Sequence, residues 1–293
     1  MTTTNVLASK AVLANVSVSM WTARKFDKKV TDETNARHHA DPDAGRWNKL
    51  LVAKKDIAEL TSLAGAARLY HYAVTLPWAD RGPRLLPTEA FMRHTELRKM
   101  KADFDKLADT FCKHYPAIVA GAKTRLNGMF NAADYPDPSV IRSKFAFEIE
   151  YLPCPDANDF RVSLGQEVMD EIKSDLEARM GSAVDTAMSN VRERIVDVVG
   201  HMAEKLQGYA PGMKGKRAEN TFQDSLVDNV RDLVDLLPSF NLTDDPKLDA
   251  LIKKMRDKLC AVDAEELRDN EHERKYVAKQ AAAILKEAQE FLA

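Results

Sequence analysis

Apolar residues recur at steps of three and four over more than forty positions between Gln166 and Tyr209, and no proline interrupts them. At a rise of about 1.5 Å per residue, this spacing predicts one helix about 60 Å long with a single apolar stripe. Another long helix must cover that stripe, either in the same chain or in a second copy. The stripe comprises Met169, Ile172, Leu176, Met180, Val184, Met188, Val191, Ile195, Val198, Met202, Leu206 and Tyr209.

A second apolar stripe predicts another long helix at about 88–114. Thr88 is expected to cap its start, and Pro116 to end or kink it near Tyr115, with a shorter helix running on to Leu126. The steps along this stripe are heptad-like, which is typical of helices that pack against helices. His114 falls on the apolar side and is interpreted as a core histidine. The stripe comprises Leu97, Met100, Phe104, Leu107, Phe111, His114 and Ile118.

Three short segments alternate apolar and polar residues with the period of two that is typical of strands. Two of them, Phe145 to Tyr151 and Phe160 to Leu164, predict a β-hairpin with a loop of about six residues. The third, which contains Val16, Val18 and Met20, is expected to join them in one small sheet.

The remaining segments predict shorter helices and one boundary. A loop rich in Gly and Lys separates a domain at 10–209 from a helical segment at 218–293. The capping-box spacing of Asp263 and Glu266 marks one helix start, and Pro246 at a first helical position marks another. The predicted short helices lie at about 24–35, 54–75, 221–237, 245–260 and 263–293.

The predicted fold class is therefore α+β and predominantly α-helical. It combines a long antiparallel helical hairpin of helices 88–114 and 166–209, a small antiparallel β-sheet and a helical C-terminal bundle.

Composition favours a packed protein in a reducing compartment. Apolar residues make up 45% of the chain and charged residues 30%. Three cysteines stand far apart in sequence, at Cys112, Cys154 and Cys260, which indicates free thiols and not a disulfide framework. No apolar run approaches the roughly 20 residues that span a membrane, and no secretory signal is expected. We expect a cytoplasmic protein.

The net charge of −2 conceals a polarised distribution. Residues 1–130 contain 21 Lys and Arg against 13 Asp and Glu, whereas residues 131–293 contain 22 against 32. This asymmetry fits ordinary solvated surfaces. It also fits a molecule that packs head to tail with its own copies or offers its basic half to an acidic partner.

No motif for catalysis or cofactor binding is present in the sequence. The chain has no phosphate-binding glycine loop, no G-x-G-x-x-G after a strand, no G-x-S-x-G and no H-E-x-x-H. The pair His38-His39 with Asp41 and Asp43 is interpreted as a polar turn, since four ligands from one flexible turn would be an unusual metal site. We therefore predict no catalytic residue, no cofactor and no metal ligand.

Two segments are candidate binding surfaces, each with a plainer alternative. Trp78, Arg81 and Arg84 lie in a loop stiffened by prolines, and Trp and Arg dominate interface hot spots. The alternative is an ordered connection with Trp78 in the core. The second segment carries Lys214, Lys216 and Arg217, which could contact a phosphate or a nucleic-acid backbone. Its alternative is a solvated linker.

As a set, four segments resemble an uncharacterised phage and bacterial family, known as a domain of unknown function, across about residues 10–290. Genes of that family often lie beside those for a cobaltochelatase-like AAA+ ATPase and a protein with a von Willebrand A domain. The resemblance implies a cytoplasmic factor, in the host cytoplasm if phage-encoded, that works with a remodelling ATPase. It carries over no functional residue. The segments are 15–25, Leu76-Pro77-Trp78, 145–164 and the long helix.

These observations lead to one expected function and two alternatives. We expect a non-enzymatic assembly or adaptor protein that self-associates through its long helices and engages a partner, for which the resemblance suggests a AAA+ remodelling ATPase. A nucleic-acid-binding protein that uses the basic N-terminal half is the first alternative. An enzyme of unrecognised type is the second.

Overall fold

The computed structural model of the protein describes residues 3–79, 82–155, 166–212 and 219–290. These residues form mostly helix, with short strands, so the predicted α+β and predominantly helical class is confirmed. The helices are α1 (Thr3–Lys10), α2 (Lys28–Arg37), α3 (Lys54–Ala73), α4 (Phe91–His94), α5 (Glu96–Leu126), α6 (Gln166–Gly208), α7 (Ser225–Phe240), α8 (Pro246–Leu259), α9 (Ala264–Asp269) and α10 (Glu271–Glu290). The strands are β1 (Ala11–Ser19), β2 (Arg24–Phe26), β3 (Asn48–Leu50), β4 (Arg84–Pro87) and β5 (Ala146–Pro153).

The main sheet has the strand order β4-β1-β5. The predicted strands at Val16 and at Phe145 to Tyr151 are confirmed and share this sheet, with Glu148 and Glu150 on the exposed side. The third described strand is β4, which pairs antiparallel with β1 from Ala14↔Arg84 to Ala11↔Pro87. This strand follows Pro83 and ends at Pro87, and no alternation of apolar and polar residues marked it in the sequence. The predicted strand at Phe160 to Leu164 lies outside the described residues.

The chain forms two compact units by its internal contacts. The first unit consists of the described residues within Met1–Ala14, Val74–Arg93 and Tyr151–Ala293, and the second of those within Asn15–Ala73 and His94–Glu150. This division differs from the one expected at 209–218, because α6 shares one hydrophobic core with the C-terminal helices α7, α8 and α10.

In the first unit, α6 packs along α10 and α7. Helices α6 and α10 run in opposite directions, since the Arg274 guanidinium lies 4.7 Å from the Tyr209 ring and Gly200 faces Leu285. The bounds of α6 confirm the predicted helix, and from Met180 onward most of its stripe is buried in this unit. Other helices of the same chain therefore cover the apolar stripe of α6 over most of its length.

In the second unit, α5 packs along α3, again with opposite directions. The fold thus has long antiparallel helix pairs, but their partners differ from the predicted pairing of 88–114 with 166–209. Stripes of this length do not specify a partner, because any complementary stripe of similar size buries a similar apolar area. An aromatic cluster supports the pair: the Trp21 ring centroid lies 6.3 Å from that of Phe111 and 5.8 Å from that of Tyr115.

The bounds of α5 correct two predictions. The helix does not end near Tyr115 but passes through Pro116 to Leu126. Pro116 is exposed, so its ring displaces no packing, and the buried Tyr115 holds the helix in place by donating its hydroxyl to the Pro136 carbonyl at 2.9 Å. Thr88 begins a short 3₁₀ turn, not the long helix, and α5 starts only at Glu96.

Several shorter elements also differ from expectation. The segment predicted as a helix from residue 24 begins as β2, and α2 starts after Asp27, whose carboxylate accepts from the Val30 amide at 3.2 Å. The expected start at Asp245 and Pro246 is confirmed by a cap bond to the Lys247 amide. Helix α9 follows Asp263 as predicted, but that carboxylate accepts from Arg231 at 2.7 Å and makes no cap bond.

None of the described helices is long and apolar enough to cross a membrane.

Candidate functional site

The predicted docking loop is only partly described. Trp78 is half-buried and packs against the core of the first unit, and Arg84 lies in β4. Arg84 donates through Nε to the Thr75 hydroxyl at 2.8 Å and through Nη2 to the Thr75 carbonyl at 3.4 Å. Arg81 lies outside the described residues. A docking role for these three residues stays a prediction.

A second arginine, which the sequence did not single out, reaches the same place from α6. Arg194 donates through Nη2 to the Thr75 carbonyl at 2.7 Å and through Nε to Asn190 at 2.9 Å. Burial, together with the neighbouring charge of Arg84, lowers the pKa of Arg194 to about 10. Because Arg194 follows Thr75 by 119 residues, no local pattern could have revealed this contact.

The second predicted cluster, Lys214, Lys216 and Arg217, lies outside the described residues. The described chain stops at Gly212 and resumes at Glu219. Ala210 and Glu219 exchange backbone hydrogen bonds of 3.2 and 3.0 Å, so the two ends of this segment lie side by side. A phosphate-binding role for the three cations stays a prediction.

Between α3 and α5 runs a groove, the α3–α5 groove, formed by two adjoining cavities of about 280 and 410 Å³. Both cavities are lined by Lys55, Asp56, His114 and Ile118. The floor is apolar, with Leu60, Phe111 and Ala122 buried and Leu107 and Ile118 half-buried. A groove of this kind, apolar inside and polar at its edges, is typical of surfaces that bind a helix or a peptide.

Small residues on α5 keep this groove open. Ala117, Gly121 and Ala122 line its wider cavity, and nothing lies within 4 Å of where a side chain at Gly121 would begin. Arg125 closes this end and donates to the Leu50 carbonyl. The rim carries both signs of charge, with Lys55 and Arg125 opposed by Asp56 and Glu59.

The groove corrects the interpretation of His114. This residue was expected to be a core histidine, but it is exposed at the mouth of the groove. On this side of α5 the Phe111 side chain is buried, whereas His114, about one turn further along the helix, stays exposed. The apolar spacing predicted the correct side of α5 but not how much of that side is buried.

The first turns of α6 form a second exposed apolar surface, the α6 start (Glu167–Arg179). Val168 is 47% exposed, and Met169 and Ile172 are half-buried, whereas Met180 is fully buried. The α6 start is also acidic, with five Asp and Glu against one Lys and one Arg. An amphipathic helix end with apolar residues and carboxylates exposed together is suited to docking on a basic partner.

Two buried histidines meet in the second unit, and no sequence pattern indicated them. His71 Nδ1 and His94 Nε2 lie 2.9 Å apart, with both residues buried. Burial lowers the pKa of His94 to about 4, so this imidazole is neutral at physiological pH. The pair stands 23 positions apart on different helices, so only tertiary packing brings it together.

An ion cluster anchors β3 in the second unit. The Lys49 ammonium lies 2.7 Å from Asp134 Oδ2, 3.3 Å from Asp27 Oδ2 and 3.0 Å from the Met129 carbonyl. The three charged side chains are 8–14% exposed. Burial alone would lower the pKa of Lys49, but the carboxylates of Asp134 and Asp27 beside it outweigh the burial and raise that pKa. The contact with Asp134 is one of charge at close range, since Asp134 Oδ2 has no well-aligned donor among the described residues.

In the described part of the chain, no group of three His, Cys, Asp or Glu side chains is arranged to hold a metal ion. The three cysteines are free thiols, as expected. Burial raises the pKa of each, to about 11 for Cys154, and a raised pKa suppresses the reactive thiolate.

Comparison with protein-family models, with curated proteins and with solved structures finds no match to this chain. The α3–α5 groove and the α6 start are therefore interpreted from their own geometry.

Proposed function

We propose that this chain is a non-enzymatic assembly protein, in which the α6 start of one copy docks in the α3–α5 groove of a second copy. The groove is the observation that carries the proposal. Its apolar floor is bounded by Leu60, Phe111 and Ile118, and polar side chains lie at its mouth. Such grooves receive the apolar face of an amphipathic helix through residues spaced three and four apart.

Charge complementarity supports this choice of occupant. The second unit, which holds the groove, contains 19 Lys and Arg against 15 Asp and Glu. The first unit, which holds the α6 start, contains 24 against 30. Opposite net charges favour contact between unlike units and disfavour contact between like ones. Lys55 and Arg125 at the groove would face the carboxylates of the α6 start.

Self-association through the long helices was expected from the sequence, whereas the proposed contact uses only the α6 start and the α3–α5 groove. From Met180 to Leu206 the stripe of α6 is largely covered inside the chain, so the apolar residues that this stripe still offers to a second copy lie at the α6 start. Because groove and α6 start are different surfaces, the contact is heterologous, and each copy offers one of each. The remodelling ATPase and the cytoplasmic location implied earlier belong to this proposal as expectations, with the ATPase as a further partner.

The test is sedimentation velocity over about 1 to 100 µM, a range that brackets contacts of about −7 kcal/mol. Two variants disable one surface each: Ile172→Lys on the α6 start and Ala117→Trp in the groove. Each has a matched control with the same substitution outside the contact, Ser174→Lys on the opposite face of α6 and Ala120→Trp on α5, both at exposed positions.

We expect the wild type and both controls to associate and each disabled variant to stay monomeric. Mixing the two disabled variants should restore a one-to-one complex, because one supplies an intact groove and the other an intact α6 start. A wild type that is monomeric throughout the range contradicts the proposal. So does an association that survives both substitutions.

A further inference from the structure

The two-stranded ribbon of β2 and β3 presents two different faces. Side chains alternate along a strand, so Arg24 and Phe26 share one face and Lys25 points to the other. The register places Asn48 opposite Phe26 and Lys49 opposite Lys25. Lys49 is buried in the ion cluster with Asp27 and Asp134. Arg24, Phe26 and Asn48 are exposed together on the other face.

On this outer face an arginine lies against an aromatic ring. The Arg46 guanidinium is 4.5 Å from the centroid of the Phe26 ring, and Phe26 is 36% exposed. A planar cation on an exposed ring forms a flat surface on which a nucleic-acid base can stack. Asn48 adds an amide that both donates and accepts hydrogen bonds.

The ribbon is held in place before any ligand binds. The Asp27 amide donates to the Trp47 carbonyl at 3.0 Å, and the Leu51 amide donates to the Ala23 carbonyl at 2.8 Å. The Trp47 amide donates to the Thr31 hydroxyl of α2 at 3.0 Å. Together with the ion cluster, these bonds fix both ends of the ribbon, so its exposed side chains lose little backbone entropy on binding.

The cations of the ribbon have no acidic partners among the described residues. Arg24, Lys25 and Arg46 form no ion pair there, although Asp27 beside them is engaged with Lys49. Two of these cations, Arg24 and Arg46, share the face of the exposed Phe26 ring, which suits a polyanion that also offers flat faces.

We infer that the outer face of the β2–β3 ribbon binds single-stranded nucleic acid, with a base stacked at Phe26 and Arg46 and the backbone phosphates at the cations of Arg24 and Arg46. Single strands fit better than duplex, because in a duplex the faces of the bases are already stacked on each other. This site is separate from the α3–α5 groove, so it stands or falls independently of self-association.

The test is fluorescence anisotropy with labelled twelve-residue oligo(U) and oligo(dT), and with a duplex of equal length, at 50 and 200 mM salt. About two phosphate contacts predict a loss of affinity of about sevenfold between these salt concentrations. Phe26→Ala should weaken binding about fivefold or more through lost stacking, and Phe26→Trp should retain it. Arg46→Lys keeps the positive charge but removes the planar guanidinium, so the affinity of this variant should fall between those of the wild type and Arg46→Ala.

Lys29→Ala is the matched control, since it removes one exposed cation from α2 in the same unit, where Lys29 lies 3.9 Å from Glu33. Its affinity should change less than that of Arg46→Ala. Thermal melts of all variants confirm that the unit stays folded. Equal affinity for duplex, no effect of Phe26→Ala in a folded variant, or no binding at 50 mM salt would each overturn the inference.

Discussion

Replacing Lys49 by methionine should strongly destabilise the second unit. The substitution keeps a side chain of similar length but removes the ammonium that lies 2.7 Å from Asp134 and 3.3 Å from Asp27. The two carboxylates are only 10% and 14% exposed, so water replaces little of the lost interaction. The Met129 carbonyl also loses its donor at 3.0 Å.

The magnitude follows from the cost of leaving a buried charge without its partner. Removing one member of a buried ion pair typically costs about 3–5 kcal/mol. Here one removal leaves two carboxylates, which places the expected loss in the free energy of unfolding at about 4 kcal/mol. A loss of this size is a large fraction of the roughly 5–15 kcal/mol that stabilises an ordinary domain, so the second unit should unfold at a much lower urea concentration.

Urea unfolding followed by tryptophan fluorescence measures this loss, because Trp21 and Trp47 both lie in the second unit. A triple variant, Lys49→Met with Asp27→Asn and Asp134→Asn, removes all three charges and should recover most of the stability. Asparagine at position 27 can still accept from the Val30 amide at the start of α2. Lys99→Met is the exposed control, and it should leave the urea midpoint unchanged.

The pH dependence gives an independent check on the cause. In the wild type the Lys49 ammonium helps to lower the pKa of Asp27, so this pKa should rise in Lys49→Met relative to the wild type. The deficit of Lys49→Met against the wild type should therefore shrink as the pH falls through about 4 and below, where this carboxyl takes up a proton. A deficit below about 1 kcal/mol at pH 7, or a triple variant no more stable than Lys49→Met, would refute this reasoning.

Two further predictions concern His94 and Pro116. Burial lowers the folded pKa of His94 to about 4, below its usual unfolded value of about 6.5, so the folded state binds fewer protons. Its contribution to stability is therefore complete above pH 6.5 and is lost as the pH falls to 4, by about 3 kcal/mol in all. The free energy of unfolding, measured by urea titrations in this pH range, should rise less steeply with pH for His94→Gln than for the wild type; equal slopes in the two proteins would contradict the prediction. Pro116 lies inside α5 and is exposed, so Pro116→Ala should restore a helix hydrogen bond and raise the free energy of unfolding by about 1–3 kcal/mol. An unchanged or lower urea midpoint would show that the helix had already adapted to the proline.

The sequence alone determined the elements whose signals are local. The bounds of α6 followed from one unbroken apolar stripe without proline, and its structure ends at Gly208. The strand at Phe145 to Tyr151 followed from alternation alone. The start of α8 at Pro246 followed from Asp245 and the fixed backbone angle of proline. In each case the residues that decide the structure are sequence neighbours.

Predictions from neighbouring residues in the sequence were wrong where tertiary packing outweighs the local preference. Pro116 predicted a break, but a single lost hydrogen bond is small beside the buried contacts of α5 on either side of it. In β4, prolines at both ends concealed a four-residue strand whose pairing is supplied by β1. The exposed position of His114 likewise depended on how far α3 extends over α5.

Only the tertiary structure decided which distant residues meet. His71 and His94, and Lys49 with Asp134, lie far apart in the chain, and nothing in their local sequence distinguishes them from solvated residues. The packing of α10 over α6 and the shape of the α3–α5 groove also depend on contacts between residues that are distant in the chain. An apolar stripe specifies that a helix must be covered, but many partners bury a similar area. The choice among them depends on the shape and charge of the whole packed unit, which no local window of the sequence contains.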